Sequence, residues 1–232
     1  MSALGLSSIF VVIPAYNEAL ALPATVAPLV KAGYSVVVVD DGSTDSTRQT
    51  LEKLDGLHKL FHAVNLGQGA ALQTGMQYAR ASGASIIVHF DSDGQHDPLQ
   101  IPALVTPIAE GETDVVFGSR FLRPSDLKQI PSTKRVLLRG GRIVSGILTG
   151  LWLSDTHNGF RALSAAAADK IHLRENGFAH ATEILDLVRI AKLRYVEVPT
   201  TIRYTSYSRA KGQRMSNAIN ILLDVLMRKL FL

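Results

Sequence analysis

The stretch FDSDGQHDP, residues 90–98, sets Asp91, Asp93 and Asp97 close together, with Gln95 and His96 among them. Carboxylates this near repel one another. Asp91 and Asp93 are two positions apart, so in an extended segment both side chains point the same way. A hard divalent cation would neutralise both and bridge to diphosphate oxygens. Mg2+ takes one or two carboxylates plus phosphate and keeps several waters, which suits so few ligands. Gln95 adds an oxygen, or His96 a nitrogen. An EF-hand calcium loop is excluded, because Pro102 stands where the twelfth, acidic ligand belongs. The competing reading is a solvated Asp-Gly turn. At the end of an apolar strand, metal is preferred.

Other clusters also fall at the ends of apolar runs. In DDGSTD, Asp40 and Asp41 close a run of valines, where a carboxylate can accept from a ribose or a base N–H; turn chemistry with helix caps explains them equally well. In NLGQGAALQTG, Gly67 and Gly69 precede a helical stretch, so their amides could face an anion. Leu72 breaks the dinucleotide fingerprint and no G-K-[ST] follows, so close packing at a helix entry is favoured. Arg120 ends another apolar run, and Arg135, Arg139 and Arg142 share one helix face that also carries apolar residues. A lipid phosphate acceptor needs such a surface, with cations for its head and apolar residues near its tail.

These clusters are positioned by alternating strands and helices. SSIFVVIPA, YSVVVVDDGS, LHKLFHAV, ASIIVHFDSD and TDVVFGSRF read as strands. Helices are expected over 18–32, over STDSTRQTLEKL with Ser43, Thr44 or Asp45 as cap, over GQGAALQTGMQYARASG, and over 98–109. Four βα units in a row predict an α/β fold with a mainly parallel sheet, whose ligands bind at the carboxyl ends of the strands. Further on, 124–133 reads as a loop, 134–151 as a helix, DTHNGFRALS as turn-rich, 180–192 as a helix and RYVEVPTTIRY as a strand. TSYSRAKGQR follows as a loop, and a helix is expected from about Met215 onward. One domain over 1–232 is the simplest organisation.

The chain has 232 residues, 47% hydrophobic and 19% charged, with a formal net charge of +4. That supports a proper core and excludes wholesale disorder, and it leans toward anionic partners. With no cysteine there is no disulfide or thiolate site. The N-terminal run lacks the pattern of a signal peptide, and no apolar run reaches the ~20 residues of a membrane span. A cytoplasmic protein, peripheral at the inner face of the membrane, is expected. Scattered basic residues and the lack of a recognition motif argue against nucleic acid.

Taken in order, VVIPAYNE, VVVVDDGSTDST, NLGQGAALQTGM, DSDGQHDP, DVVFGSRF, DTHNGFRALS, ATEIL and VPTTIRY resemble glycosyltransferase family 2, across about residues 9–204. The branch most resembled holds dolichyl-phosphate mannose synthase and the bacterial polyprenyl-phosphate glycosyltransferases. The resemblance implies the GT-A fold, a Rossmann-like, mixed and mainly parallel sheet flanked by helices. About 9–120 would form the nucleotide-sugar and metal half, about 121–214 the acceptor half, and about 215–232 an amphipathic helix. Pro14, Ala15, Tyr16, Glu18 and Asp41 would line the nucleoside pocket, with Asp40 a further candidate; Gly69 and Ser92 join Asp91 and Asp93 in the nucleotide-sugar set. Asp91 and Asp93 would be the D-x-D motif holding Mg2+ or Mn2+, with Gln95 as third ligand. Arg120 and Arg203 would hold donor and acceptor phosphates, Arg135 would belong to the acceptor loop, and Gly159, Phe160 and Arg161 would line the acceptor side. Asp93, Arg120, Arg203 and Glu183 are the catalytic candidates.

The implied reaction is inverting transfer of a hexosyl unit from a nucleoside-diphosphate sugar of the GDP-mannose or UDP-glucose type to a polyprenyl phosphate. A sugar-hydroxyl acceptor of glycan synthesis is the alternative. It would require a base, for which Asp93, Asp155 and Glu183 are the candidates. A non-catalytic nucleotide-sugar-binding protein is the second alternative. Q-x-x-R-W, the mark of processive members, is missing, so polymerisation is disfavoured. The segment TSYSRAKGQRMSN differs from the G-x-S-K segment of the synthase branch. The last helix, NAINILLDVLMRKLFL, is expected to dock on a membrane or a membrane-protein partner, or equally to pack on the protein's own core or a second copy.

Overall fold

A computed structural model describes residues 5–123, 146, 150–156, 158–177 and 179–202. Within them the chain runs β1 (Ile9–Ala15), α1 (Leu22–Lys31), β2 (Ser35–Asp40), α2 (Thr47–Glu52), β3 (His58–Phe61), α3 (Gln68–Ala81), β4 (Ile86–His89), α4 (Ile101–Ala109), β5 (Val115–Ser119), β6 (Arg161–Ser164), α5 (Ala165–Ala168), α6 (His180–Ile190) and β7 (Tyr195–Pro199). The strands form a seven-stranded sheet in the order β3-β2-β1-β4-β6-β5-β7. β1 pairs in parallel with β2 and β4, β2 with β3, and β5 with β7. The mixed, mainly parallel sheet flanked by helices is therefore the observed architecture.

The alternation along each strand sorts side chains to two faces. Val37 and Val39 of β2 and Phe10 and Val12 of β1 join one core with α3, α5 and α6. Val36, Val38, Ile9, Val11 and Ile13 join the other with α1, α2 and α4. Both faces are covered, which explains why these strands read as unbroken apolar runs. The parallel strands all end at one edge, so Ala15, Asp40, His89 and Ser119 deliver the loops that follow them to a common rim.

One element departs from expectation. DTHNGFRALS is not all turn: its last four residues, Arg161–Ser164, form β6. β6 runs antiparallel between β4 and β5. Four residues with a buried arginine at their head show no alternation, and the polar, glycine-bearing run before them reads as turn. The insertion separates β4 from β5 and brings residues 158–160 to the rim beside Asp91. The expected loop at 124–133, most of the helix at 134–151, the loop at 205–214 and the C-terminal helix lie outside the described residues.

Helix α3 lies unusually close to the sheet because Gly75 faces β1 and β2. A Cβ at Gly75 would stand 2.3 Å from Val12 Cγ1 and 3.3 Å from Val39 Cγ2. Gly75→Ala should gain helix propensity, worth up to about 1 kcal/mol, yet lose more by overpacking a fully buried valine, about 1–3 kcal/mol. The expected result is a melting temperature lower by a few degrees. An unchanged or higher Tm would show that the helix is not pressed against β1.

Candidate active site at the carboxyl edge of the sheet

Asp91 and Asp93 lie just beyond the end of β4. The turn between them is anchored from the side: Thr25 of α1 donates its hydroxyl to Ser92 O at 3.0 Å. Gly94 takes φ 74°, a left-handed conformation suited to glycine, and this lets the Gln95 amide donate to Asp93 Oδ1 at 3.0 Å. Asp91 Oδ2 accepts from His96 Nε2 at 2.9 Å, and Oδ1 from Gln68 Nε2 at 3.3 Å. His96 is sandwiched in aromatic surroundings, stacked on Phe160 (centroids 4.7 Å, 23°) and edge-on to Phe90 (5.4 Å, 72°). Asp97 accepts from Leu99 N at 3.1 Å and so caps the short 3-10 turn that leads into α4.

The two carboxyls are driven apart. Burial works against charge on Asp91, but His96, by field and hydrogen bond, with Arg161 and His180 behind, outweighs it and holds the carboxyl below the usual range. Burial, the charge of Asp91 and that of Glu18 together push Asp93 above it. A cation would relieve this strain. Among the described residues no three His, Cys, Asp or Glu side chains converge into a metal-holding group. The donors present are two carboxylates and the Gln95 amide oxygen, a hard-oxygen set that fits Mg2+ or Mn2+ completed by diphosphate and water.

Beneath the turn lies a basic floor absent from sequence expectation. Arg161, 2% exposed, stands opposite His89 in the β4–β6 ladder. It donates from Nη2 to Asn158 O at 3.2 Å, while Arg161 Nε and both His89 ring nitrogens have no hydrogen-bond partner among the described residues. Burial lowers the Arg161 pKa to about 10 against the pull of Asp91 and Asp155. Burial, then the Arg161 charge, lowers His180 to about 4, and the same causes hold His89 well below the ordinary histidine value.

Where the nucleoside was expected, Pro14 and Ala15 end β1 and Tyr16 is 40% exposed at the rim. Asn17, at φ 55°, accepts from the Thr44 and Asp45 amides through Oδ1 and donates its own amide to Ser43 Oγ. Buried Glu18 donates its amide to Thr47 Oγ1. The loops after β1 and β2 are thus laced together. Asp40 Oδ1 accepts from Ser43 N at 3.2 Å. Asp41, 2% exposed, accepts from His62 Nδ1 at 2.7 Å, Leu66 N at 2.9 Å and Gly67 N at 2.7 Å, and His62 Nε2 meets Thr74 Oγ1 at 3.0 Å. Asp41 therefore clamps the 62–67 loop. Gly69, expected among the nucleotide-sugar ligands, donates its amide to Asn176 O, and a Cβ there would meet Glu175 O at 1.8 Å. It is the tight helix entry, closed by the 175–177 loop.

The acceptor-side residues divide. Arg120 is committed to Asp155, Nε to Oδ2 at 2.6 Å and Nη2 to Oδ1 at 2.7 Å. Glu197 in turn accepts from the Ser154 amide and hydroxyl and from the Asp155 amide. Gly159 presses its backbone on Asp91, whose Oδ2 would be 2.8 Å from a Cβ. Phe160 and Arg161, expected to line the acceptor side, are buried under Asp91 instead. Glu183, expected to be catalytic, accepts from the Arg174 and Glu175 amides and holds the loop before α6. Arg135 and Arg203 lie outside the described residues. Gln68, His62 and Asn158, which carry much of this bonding, were given no role by the sequence, and His96 was offered only as a direct nitrogen ligand of the cation; a polar residue beside a motif was the available signal for Gln68.

A family model for glycosyl transferase family 2 matches residues 10–172. The chain is 33% identical over 241 residues to a UDP-N-acetylglucosamine–dolichyl-phosphate N-acetylglucosaminyltransferase of Methanococcus voltae, across 96% of both chains. It is 30% identical over 224 residues to an undecaprenyl-phosphate mannosyltransferase of Micrococcus luteus, across 91% of this chain and 90% of the relative. Its fold superposes, with a TM-score of 0.66, on glucosyl-3-phosphoglycerate synthase from Mycobacterium tuberculosis in complex with Mn2+, UDP and glucosyl-3-phosphoglycerate; the match covers 94% of this chain and 77% of the other at 22% identity.

The basic floor makes stability depend on pH with a definite sign. An unfolded histidine binds its proton below about 6.5, whereas folded His180 does so only near 4. Between those values the unfolded state holds more protons, so stability rises with pH and is lost on acidification. Urea unfolding from pH 6.5 down to 5 should show a loss approaching ~1.4 kcal/mol per pH unit for each such histidine. His180→Asn should flatten that slope; an equally steep slope in the variant would mean that His180 is not held neutral.

Proposed function

The chain belongs to glycosyltransferase family 2, and on that premise we propose that it transfers a hexosyl unit from a nucleoside-diphosphate sugar to a polyprenyl phosphate, with inversion at the anomeric carbon. The observation that carries this is the pair Asp91 and Asp93 at the rim, set between the laced loops after β1 and β2 and the 155–161 segment. The relatives from Methanococcus voltae and Micrococcus luteus are named for dolichyl phosphate and undecaprenyl phosphate, which supports the acceptor class.

In this reading the loops around Tyr16, Glu18 and Asp40 receive the nucleoside, and Asp91, Asp93 and Gln95 face the diphosphate. A divalent cation, when bound there, supplies charge neutralisation for the leaving diphosphate. The acceptor oxygen forms a bond to the anomeric carbon on the face opposite the diphosphate. The bond from that carbon to the diphosphate oxygen breaks, and nucleoside diphosphate leaves with the electron pair. A phosphate acceptor is already anionic at neutral pH and requires no strong base. The use made of the acidic residues supports this: Asp155 is bound bidentate by Arg120, and Glu183 accepts two backbone amides. A sugar-hydroxyl acceptor would leave Asp93 as the one remaining base among those candidates. Arg203 and Arg135 are proposed to meet the acceptor phosphate, and the C-terminal segment to bring the rim to a membrane surface. No helix among the described residues is long and apolar enough to cross a membrane.

Donor turnover with dolichyl or undecaprenyl phosphate should collapse in EDTA, return with Mn2+ or Mg2+, and be lost in Asp93→Ala. Metal charge stabilisation is worth several kcal/mol, so at ~1.4 kcal/mol per tenfold the loss should reach about two decades or more. Full turnover in chelator would remove the metal role.

A further inference from the structure

His96 is buried more deeply than the carboxylate it serves: its side chain is 2% exposed and that of Asp91 is 33%. A polar ring held between Phe90 and Phe160 is costly unless it is hydrogen-bonded. Among the described residues, its bond to Asp91 Oδ2 at 2.9 Å is the one side-chain hydrogen bond it makes, and Nδ1 is buried without a partner. A carboxylate only accepts, so Nε2 carries the hydrogen. The stack on Phe160 and the edge contact with Phe90 fix the ring plane, and hence the direction of that hydrogen. The isolated bridge between His96 and Ile202 runs through the backbone, so it does not explain an imidazole. The other restraints on Asp91 are weaker or merely steric: the Gln68 amide at 3.3 Å and the bare backbone of Gly159. An apolar side chain would fill the sandwich at less cost, but it could not aim Asp91.

We propose that His96 is a positioning residue that orients the Asp91 carboxylate toward the metal–diphosphate, so that the metal-dependent share of donor binding runs through its Nε2–H. This rests on the reading of Asp91 and Asp93 as the cation's carboxylates. Outer partners that orient a metal's ligands commonly control ten- to a hundredfold in affinity.

The test is calorimetry of UDP and of GDP binding to the full chain, with MnCl2 and with EDTA, for wild type, His96→Phe and His96→Gln. Phenylalanine keeps the stack and removes the donor; glutamine carries an amide N–H to about the reach of Nε2. Wild type should bind one of the nucleotides more tightly with Mn2+. His96→Phe should lose about ten- to a hundredfold of that gain with its affinity in EDTA unchanged, and His96→Gln should recover part of it. A folded His96→Phe that keeps the full Mn2+ gain overturns the positioning role alone. Equal losses in Mn2+ and EDTA also overturn it, since they mark a general packing defect. If wild type shows no Mn2+ gain, the metal reading falls and this inference with it. Should His96→Phe fail to fold, His96→Asn replaces it. Its shorter amide does not reach the Nε2 position, so it should lose the gain that His96→Gln keeps, and equal gains in the two variants overturn the proposal.

Discussion

Two carboxylates two residues apart, at the mouth of a sheet buried on both faces, must be held against their own repulsion. The structure around the D-x-D turn follows from that constraint. Asp91 is taken inward, where His96 bonds it and Arg161 lies beneath, and its charge is favoured despite burial. Asp93 is left above the usual range, pressed by burial and by Asp91. The turn is a charge imbalance that a divalent cation with its diphosphate would complete. Stability around it depends on keeping His89 and His180 uncharged beside a guanidinium, an arrangement tolerable only because water is kept out.

The single antiparallel strand among those described makes this possible. Were β4 and β5 neighbours, the rim beside Asp91 would hold only the loops that leave parallel strands. β6 enters from the opposite direction, so the residues before it arrive at the rim as β4 leaves. Gly159 can then touch the Asp91 carboxylate, Phe160 can support His96, and Arg161 can sit under the turn. Asn158 locks this arrival by donating to Gly118 O and Thr200 Oγ1 and accepting from Phe160 N.

Several acidic residues are occupied with backbone. Asp41 holds the 62–67 loop, Glu183 the loop before α6, and Glu197 the 154–155 segment. Each leaves a loop with its amides satisfied and its shape set. Arg120, partly exposed, and buried Asp155 form a pair that tethers the end of β5 to the same segment. A glycosyltransferase needs loops of stable form around its reacting centre, and carboxylates serve that need as readily as catalysis.

The amino-acid sequence alone determined the order of strands and helices through β5, the parallel edge that gathers their loops, and the place of Asp91 and Asp93 at the end of β4. Those properties are local: apolar runs, turn formers and the two-residue period of a strand are written in adjacent residues. It also carried the family, because motifs in a fixed order survive without any geometry. Only the tertiary structure decided which polar residues are spent on holding the chain itself. RALS became a strand because a slot between β4 and β5 accepted it, and Phe160 and Arg161 went inside with it. Gly69 became a packing position because the 175–177 loop closes on it. His96 gained its partner through a turn whose shape depends on Thr25, far away along the chain. Long-range hydrogen bonds and burial are properties of the assembled rim, and they fix the roles that residue type leaves open.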